Sequence, residues 1–591
     1  MAPTPMVRPQ TLGIRKISLK TALCQIDSVQ ADPARNRVLL RDAASEAAGA
    51  GARLLIFPEL ALPGYSPGDW LGDAGFLRLI HAEEQQLISE LPQGVRIIFG
   101  STSRRANTAA GKALSNDAVF AERGRLLGRV AKSWLPEYDV FDEARYFSTE
   151  APPSLWTFEG KSIGATICED IWGEQEHGLA RPRYEGDPPL SLVTAGADFI
   201  CNLSASPYAK GRPAYRERLL RRLAQRFNRP LALCNLVGGN DDLIFDGHST
   251  AVDAKGRVLV RAAGFNADIV YFDDEANGEL SPLESHQTQG AAELDEIAAA
   301  LVCGIRGYVH KTGFERVILG LSGGIDSALV AVLATKALGA KNVTGVAMPS
   351  RFSADMSEDD AAELARNLGI DFKIMPIEAV HLATGDSMRS VLGAELSPLT
   401  DENIQPRIRG LFLMALANET QALLLATGNK SELATGYCTL YGDMCGALAP
   451  IADLSKTSVF ALSRRWNETS GGPIPRRSIE RPPSAELRAE QADTDSLPPY
   501  DVLDDILEAA IEDGLSPAEI VARGHEPNCV RDVLRLVRHN EYKRRQMPPG
   551  LRVTKKAFGR GRRFPLAAGD PWTELSANDG RLSEDRGATK E

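Results

Sequence analysis

Short runs of aliphatic and β-branched residues alternate with longer stretches whose apolar positions recur every three or four residues. Residues 17–25, 53–58, 95–101, 162–168, 199–203 and 231–236 read as buried strands. Residues 273–290 then interrupt the pattern with a polar, turn-rich, acidic stretch that marks the strongest domain boundary. Beyond it come an amphipathic helix over 293–311, a strand over 316–321 and a glycine-rich turn. Residues 500–513 and 530–545 carry helical periodicity, 471–475 and 481–484 read as loops, and the polar residues from Thr573 read as a frayed tail. Strands separated by helices in both halves predict α/β layering, and no solenoid repeat is present.

Length adds that 591 residues exceed one hydrophobic core. At 43% hydrophobic and 25% charged the composition is that of an ordinary globular protein. A net charge of -11 argues against nucleic acid or an anionic membrane as partner. The longest apolar stretches, such as 423–427, are far too short to span a bilayer. Residues 1–10 hold three prolines, one arginine and no apolar run, unlike a signal peptide or anchor. Eight cysteines without a CxxC pair argue against zinc and against a disulfide scaffold, so a cytoplasmic location is expected.

Three segments place a reactive group just past an apolar strand. Residues 54–58 lead to Glu59, Val130-Ala131 to Lys132, and 163–167 to Cys168. Such strand ends are where α/β enzymes gather catalytic groups. Together the three can hydrolyse an amide. Glu59 takes the thiol proton and later activates water, Lys132 fixes that geometry, and the N–H after Cys168 helps to hold the oxyanion. Taken singly, each has an ordinary reading: a small buried hydrophobe, or a solvated charge.

The strings FPELALPGYSPGDW, KSWLPEYDVFDEARYF and ICEDIW, in this order, resemble the nitrilase superfamily, and more narrowly the glutaminase domain of the glutamine-dependent NAD synthetase family. The resemblance covers about residues 16–275 and implies an α-β-β-α sandwich. It implies Glu59 as base, Lys132 as its catalytic partner, Cys168 as nucleophile and Glu143 as a second supporting carboxylate. It further implies that Tyr138 contacts glutamine. NLSASPYAKGRPAYR resembles the family's glutamine-binding loop, which points to Ser206 and Arg212. Residues 177–190 carry no motif with an assigned role.

In the second half an apolar run ends in Gly320-Leu321 and continues Ser322-Gly323-Gly324-Ile325-Asp326-Ser327 before an apolar helix. Two glycines permit close backbone approach, and successive N–H groups at a helix start favour phosphate. Ser322 and Ser327 can donate to phosphate oxygens, and Asp326 can hold Mg²⁺. With no lysine this is not a GxxxxGK[ST] loop. It resembles the pyrophosphate-binding loop of the ATP pyrophosphatases, implying ATP as co-substrate. The strings DENIQPRIRG, LLATGNKSELATGYCTLYGD, PIADLSKT, RPPSAELR, DSLPPYDVLD and EYKRRQMPPG resemble the NAD synthetase domain over about residues 290–570. That resemblance implies Asn403, Glu432 and Lys543 near deamido-NAD, Thr427 and Met348 at ATP, and Glu432 with Asp326 at Mg²⁺. Asp443 and Lys456 stand as further phosphate or nicotinate contacts. The ordinary readings are helix caps for Glu432 and Asn403, and solvated cations for the two lysines.

The expected architecture is therefore α/β: an N-terminal α-β-β-α nitrilase-like sandwich (1–275), a linker (276–290), a doubly wound parallel-sheet ATP-pyrophosphatase domain (291–572) and a polar tail (573–591). The substrates implied are glutamine, deamido-NAD and ATP, with ammonia passing through a sequestered tunnel in a homo-oligomer. A different acceptor, or a catalytically silent nucleotide sensor, is the competing reading.

Overall fold

Alternating apolar strands need cover on both faces, and each half of the chain supplies it differently. The computed structural model describes residues 19–105, 113–149, 154–173, 184–273, 291–488, 491 and 493–569. The linker and tail, residues 177–183 of the 177–190 stretch and the first eighteen residues lie outside the described residues.

The first half builds two six-stranded sheets of similar plan. One has the order β14-β1-β2-β3-β4-β5, from β1 (Lys20–Gln25), β2 (Leu54–Ile56), β3 (Arg96–Arg104), β4 (Leu114–Glu122), β5 (Arg125–Ala131) and β14 (Asp268–Asp273). The other has the order β13-β12-β9-β8-β7-β6, from β6 (Leu155–Phe158), β7 (Lys161–Ile167), β8 (Phe199–Ser204), β9 (Leu231–Asn235), β12 (Thr250–Val252) and β13 (Val258–Arg261). The strands at the middle of each sheet run parallel and the outer ones antiparallel.

Period-two alternation sorts each strand's side chains between two cores. Leu23, Leu54, Ile56, Ile98 and Phe120 of the first sheet meet Ile163, Ile167, Cys201 and Leu203 of the second. On the outer faces, the helices Pro33–Gly49 and Ala74–Glu90 cover the first sheet through Leu40, Ala44, Phe76 and Ile80. The helix Arg212–Phe227 covers the second through Leu219, Leu220 and Leu223. This is the expected α-β-β-α sandwich. A hairpin of β10 (Val237–Asn240) and β11 (Leu243–Asp246) projects toward the other half.

The second half is a parallel sheet in the order β17-β16-β15-β18, from β15 (Val317–Gly320), β16 (Val343–Ala347), β17 (Asp371–Ile374) and β18 (Leu423–Leu425). Val317, Leu319, Leu423 and Leu425 face one helical layer, while Ile318, Val346 and Leu424 face the other. The sheet is thus doubly wound. The helix expected over 530–545 is two, Pro527–His539 and Glu541–Arg544, broken at Asn540. The Asn540 side chain donates both to Leu536 O of its own helix at 2.9 Å and to Thr435 O at 2.8 Å. The helix expected over 500–513 ends at Leu507 and continues as a wider π turn, Glu508–Glu512.

The halves share a core. Tyr208, Ile244 and Phe265 of the sandwich pack among the helices of the second half. Lys210 pairs with Glu293 at 2.8 Å, and Lys311 donates to Asn240 at 2.6 Å. The strand-like stretch 551–553 returns to the sandwich, with Lys210 N donating to Val553 O at 2.8 Å.

Candidate active sites

In the first half, β2, β5 and β7 each deliver one group past a C-terminal strand end. The segment after β2 lies directly on Gly100 of β3, where a Cβ would stand 2.0 Å from Leu60 N, so only glycine lets Glu59 pack there. Glu59 is fully buried. Its Oε1 accepts from Lys132 Nζ and from Asn116 Nδ2, each at 2.7 Å, and its Oε2 from Ala205 N at 3.0 Å. Lys132 Nζ also donates to Glu143 Oε1 at 2.8 Å, which accepts a further bond from Tyr65 OH at 3.0 Å.

Cys168 opens a single 3₁₀ turn, Cys168–Ile171, at the end of β7 with φ at +40°. A non-glycine residue pays about 1–2 kcal/mol for that left-handed conformation, and the environment must enforce it. Asp170 does so. Its carboxylate accepts from Ile167 N, Ser133 N and Trp134 N, each at 2.9 Å, stapling the cysteine turn to the lysine strand. Losing that carboxylate orphans three N–H groups, at about 1–3 kcal/mol each.

Electrostatics keeps the resting site uncharged at sulfur. Burial first, and then the Glu59 charge, push the Cys168 thiol well above its ordinary value. Burial would lower the Lys132 pKa, but Glu143 and Glu59 reverse this and hold it well above the usual lysine value. Burial, reinforced by Glu59 and opposed by Lys132, pushes Glu143 up to about 7. A thiol that does not ionise by itself needs a base when it attacks, and Glu59 is the carboxylate whose charge weighs most on this sulfur.

Two of the glutamine candidates, Tyr138 and Arg212, reach the same turn or the residue after it. Tyr138 OH donates to Glu169 at 2.9 Å, and Tyr184 OH approaches the same carboxylate at 3.4 Å. Arg212 starts its helix with the guanidinium 5.2 Å from the centre of the Trp172 ring. Ser206 is buried, with its N–H on Asn235 Oδ1 at 2.9 Å.

In the second half β15 ends at Gly320, and the turn Leu321–Gly324 leads into the helix Ile325–Leu338. Gly323 has φ +75°, and a Cβ there would stand 2.3 Å from Ser357 O, so glycine is required twice over. Ser322 Oγ lies 3.2 Å from both Gly324 N and Ser327 Oγ. A cleft of about 300 Å³ is lined by Gly320, Leu321, Ser322, Gly324–Ser327, Met348, Thr427, Glu432, Asp443 and Lys456.

Asp326 and Glu432 share one cation. Lys456 Nζ donates to Asp326 Oδ2 at 2.6 Å and to Glu432 Oε1 at 3.0 Å, and sits 5.4 Å from the centre of the Tyr500 ring. Asn429 donates to Asp326 Oδ1 at 2.8 Å and caps the helix Lys430–Thr435, in which Glu432 completes a capping box. Glu432 thus has both its ordinary reading and a place in the cleft. Burial, with Asp326 adding and Lys456 opposing, pushes it up to about 7.

Asn403 and Lys543 stand outside the cleft lining. Asn403 Oδ1 accepts from Thr439 Oγ1 at 2.9 Å, and Lys543 Nζ donates to Gly436 O and Cys438 O at 2.7 and 2.8 Å. They grip the loop that forms one wall. Gly323, Asn403 and Lys543 aside, the nucleotide candidates converge from beyond three strand ends, those of β15, β16 and β18, onto one crevice, the usual place for ligands in an open parallel sheet.

Sequence reading missed Asn116, Tyr65, Asp170 and Asn429. The signal for Asn116 was available: Ser115-Asn116-Asp117 puts three polar residues inside a strand, and all three are buried. Asp170 stood inside ICEDIW, but nothing in the sequence distinguishes a carboxylate that holds a turn from one that meets substrate.

Family models match both halves: carbon-nitrogen hydrolase over residues 20–273 and NAD synthase over 297–548. The chain is 44% identical to the glutamine-dependent NAD(+) synthetase of Synechocystis sp., covering 92% of this chain and 98% of that protein. It is 39% identical to the enzyme of that name from Thermotoga maritima, covering 93% and 98%. The solved structure of the glutamine-dependent NAD+ synthetase from Acinetobacter baumannii with ADP aligns with a TM-score of 0.72 at 37% identity, over 94% of this chain and all of that one.

Proposed function

We propose, from the premise that this chain belongs to the glutamine-dependent NAD(+) synthetases, a specific division of labour among its residues. The reaction is hydrolysis of glutamine to glutamate and ammonia through a cysteine thioester, coupled to adenylation of deamido-NAD by ATP and its amidation to NAD(+), with release of AMP and pyrophosphate. The observation that carries the residue assignment is Lys132 bridging Glu59 and Glu143 beside Cys168.

Cys168 Sγ attacks the glutamine amide carbon as Glu59 takes its proton, which then leaves with ammonia. Glu59 next deprotonates the water that hydrolyses the thioester. Lys132 holds Glu59 in place, and its charge, with the N–H of Glu169, stabilises the tetrahedral oxyanion. Glu143 keeps Lys132 charged and oriented. Tyr138, Ser206 and Arg212 bind glutamine. The loss of charge repulsion when Glu59 becomes protonated favours the thiolate at the moment of attack.

In the second half the turn Gly320–Ser327 takes the pyrophosphate end of ATP, with Met348 and Thr427 along the nucleotide. The deamido-NAD carboxylate attacks the α-phosphorus, pyrophosphate departs, and ammonia displaces AMP. Asn403 and Lys543 serve deamido-NAD by shaping the 436–443 wall, and Glu432 borders it directly. Asp326 and Glu432, already bridged by an ammonium, present the hard oxygen donors that suit Mg²⁺. These two carboxylates are the residues that would hold the ion. When bound there, Mg²⁺ supplies neutralisation of phosphate charge.

Domain boundaries follow as 1–275, 276–290, 291–572 and 573–591. Ammonia passes between the sites through a sequestered tunnel. A cytoplasmic location and no nucleic-acid or membrane partner belong to the same reading; no described helix is long and apolar enough to cross a membrane. Self-association is supported by exposed Val391, Leu392, Leu399, Leu411 and Met414 on two adjoining helices. An acceptor screen with Mg·ATP and ammonium tests the assignment. Deamido-NAD should yield NAD and AMP in equal amounts, while XMP and aspartate yield no amide; turnover of either would overturn it.

A further inference from the structure

Arg409 lies on the helix Pro398–Thr420, one turn before Leu413, and borders the synthetase cleft. Its Nε donates to Met348 O at 3.1 Å, just past the C-terminal end of β16. That bond uses one of five guanidinium N–H donors. Among the described residues no carboxylate comes within ion-pair distance of it. The neighbouring cleft arginine behaves differently: Arg481 pairs with Glu486 at 3.2 Å and donates to Ser357 at 2.7 Å. Burial pulls the Arg409 pKa below the ordinary arginine value, and the more distant charges of Glu486 and Asp443 offset only part of this.

Arg409 is partly buried, and a cation drawn out of water without a counter-ion costs stability unless something else supplies the negative charge. Anchoring to one carbonyl does not require arginine, since a neutral amide donor would serve. The chain therefore holds a charged, planar, multi-donor group at partial cost, and the donors left over border the cleft. The glycine turn already provides N–H groups for the pyrophosphate at the end of β15. Arg409 is anchored instead at the end of the adjacent strand, between that turn and the loop that carries Asp443.

Resting on the reading of this cleft given above, we propose that Arg409 binds an oxyanion of the reacting pair, either the α-phosphate of ATP or the carboxylate that attacks it. Two anions must meet for adenylation, and a guanidinium beside them offsets their mutual repulsion as the new P–O bond forms. Its fork matches the geometry of either group.

Arg409→Gln keeps a donor for the Met348 carbonyl and removes the charge. In the ammonium-driven assay, kcat/KM should fall about 10²-fold. The loss should appear as a raised KM for ATP if the α-phosphate is the ligand, or for deamido-NAD if the carboxylate is. Arg409→Lys should recover part of the activity through charge alone, and the melting temperature of both variants should stay within about 2 °C of the parent. Unchanged constants for both substrates would overturn the proposal, as would a loss that tracks a fall in melting temperature. Failure of the unmodified protein to form NAD from ammonium would instead bring down the reading of the cleft itself, and the proposal with it.

Discussion

Cys168→Ala should abolish NAD formation from glutamine, by more than about 10³-fold, while leaving formation from added ammonium within about twofold. In the proposed mechanism every group that prepares the amide for attack serves this one sulfur. Glu59 is held by three donors, so it is oriented before substrate arrives, but it has no other thiol proton to take. Alanine removes the proposed nucleophile and little else: the side chain is buried and small, and among the described residues no hydrogen bond from it holds the turn. Asp170, not Cys168, anchors that turn. The synthetase cleft lies in the other half, built from different strands, and ammonium added to the solution bypasses the missing step. Steady-state assays with each nitrogen donor read both arms. Equal loss with both would mean that Cys168 supports the fold.

Asp326→Ala should behave oppositely, losing NAD formation from glutamine and from ammonium alike, by more than about 10²-fold. Asp326 touches both Lys456 and Asn429, so it joins the glycine turn to the helix that carries Glu432. Without it, one of the two carboxylates proposed to face the triphosphate is gone, and Lys456 keeps its ion pair with Glu432. Glutamine hydrolysis by Cys168 should survive, and a release assay for glutamate separates this outcome from general unfolding. Ammonium-driven turnover at the parental rate would refute the assignment of Asp326 to Mg·ATP.

Much of this was legible in the sequence because the chemistry sits at strand ends. A buried strand announces itself by its apolar run, and the first polar residue beyond it is where catalytic groups stand; Glu59, Lys132 and Cys168 were found that way and the structure brings them together. The glycine turn was legible because Gly323 satisfies a steric demand no other residue meets. The supporting contacts were not legible. That Asn116 and Lys132 share one oxygen of Glu59 depends on the pairing of β4 with β5, which periodicity does not reveal. That Lys456 joins Asp326 to Glu432 spans 130 residues of chain. Asn403 and Lys543, placed near deamido-NAD by motif, turn out to grip backbone carbonyls and a hydroxyl of the cleft wall, because resemblance assigns a neighbourhood and not the direction a side chain takes. The break at Asn540 escaped for a related reason: its side chain finds a tertiary acceptor, Thr435 O, that only the folded chain provides.

Covalent labelling with a diazoketone analogue of glutamine, mapped by peptide mass spectrometry, addresses the nucleophile most directly. One adduct per chain on Cys168, prevented by glutamine, with glutamine-driven synthesis lost and ammonium-driven synthesis kept, is the expected result. Labelling at another residue, or loss of both activities together, would contradict it.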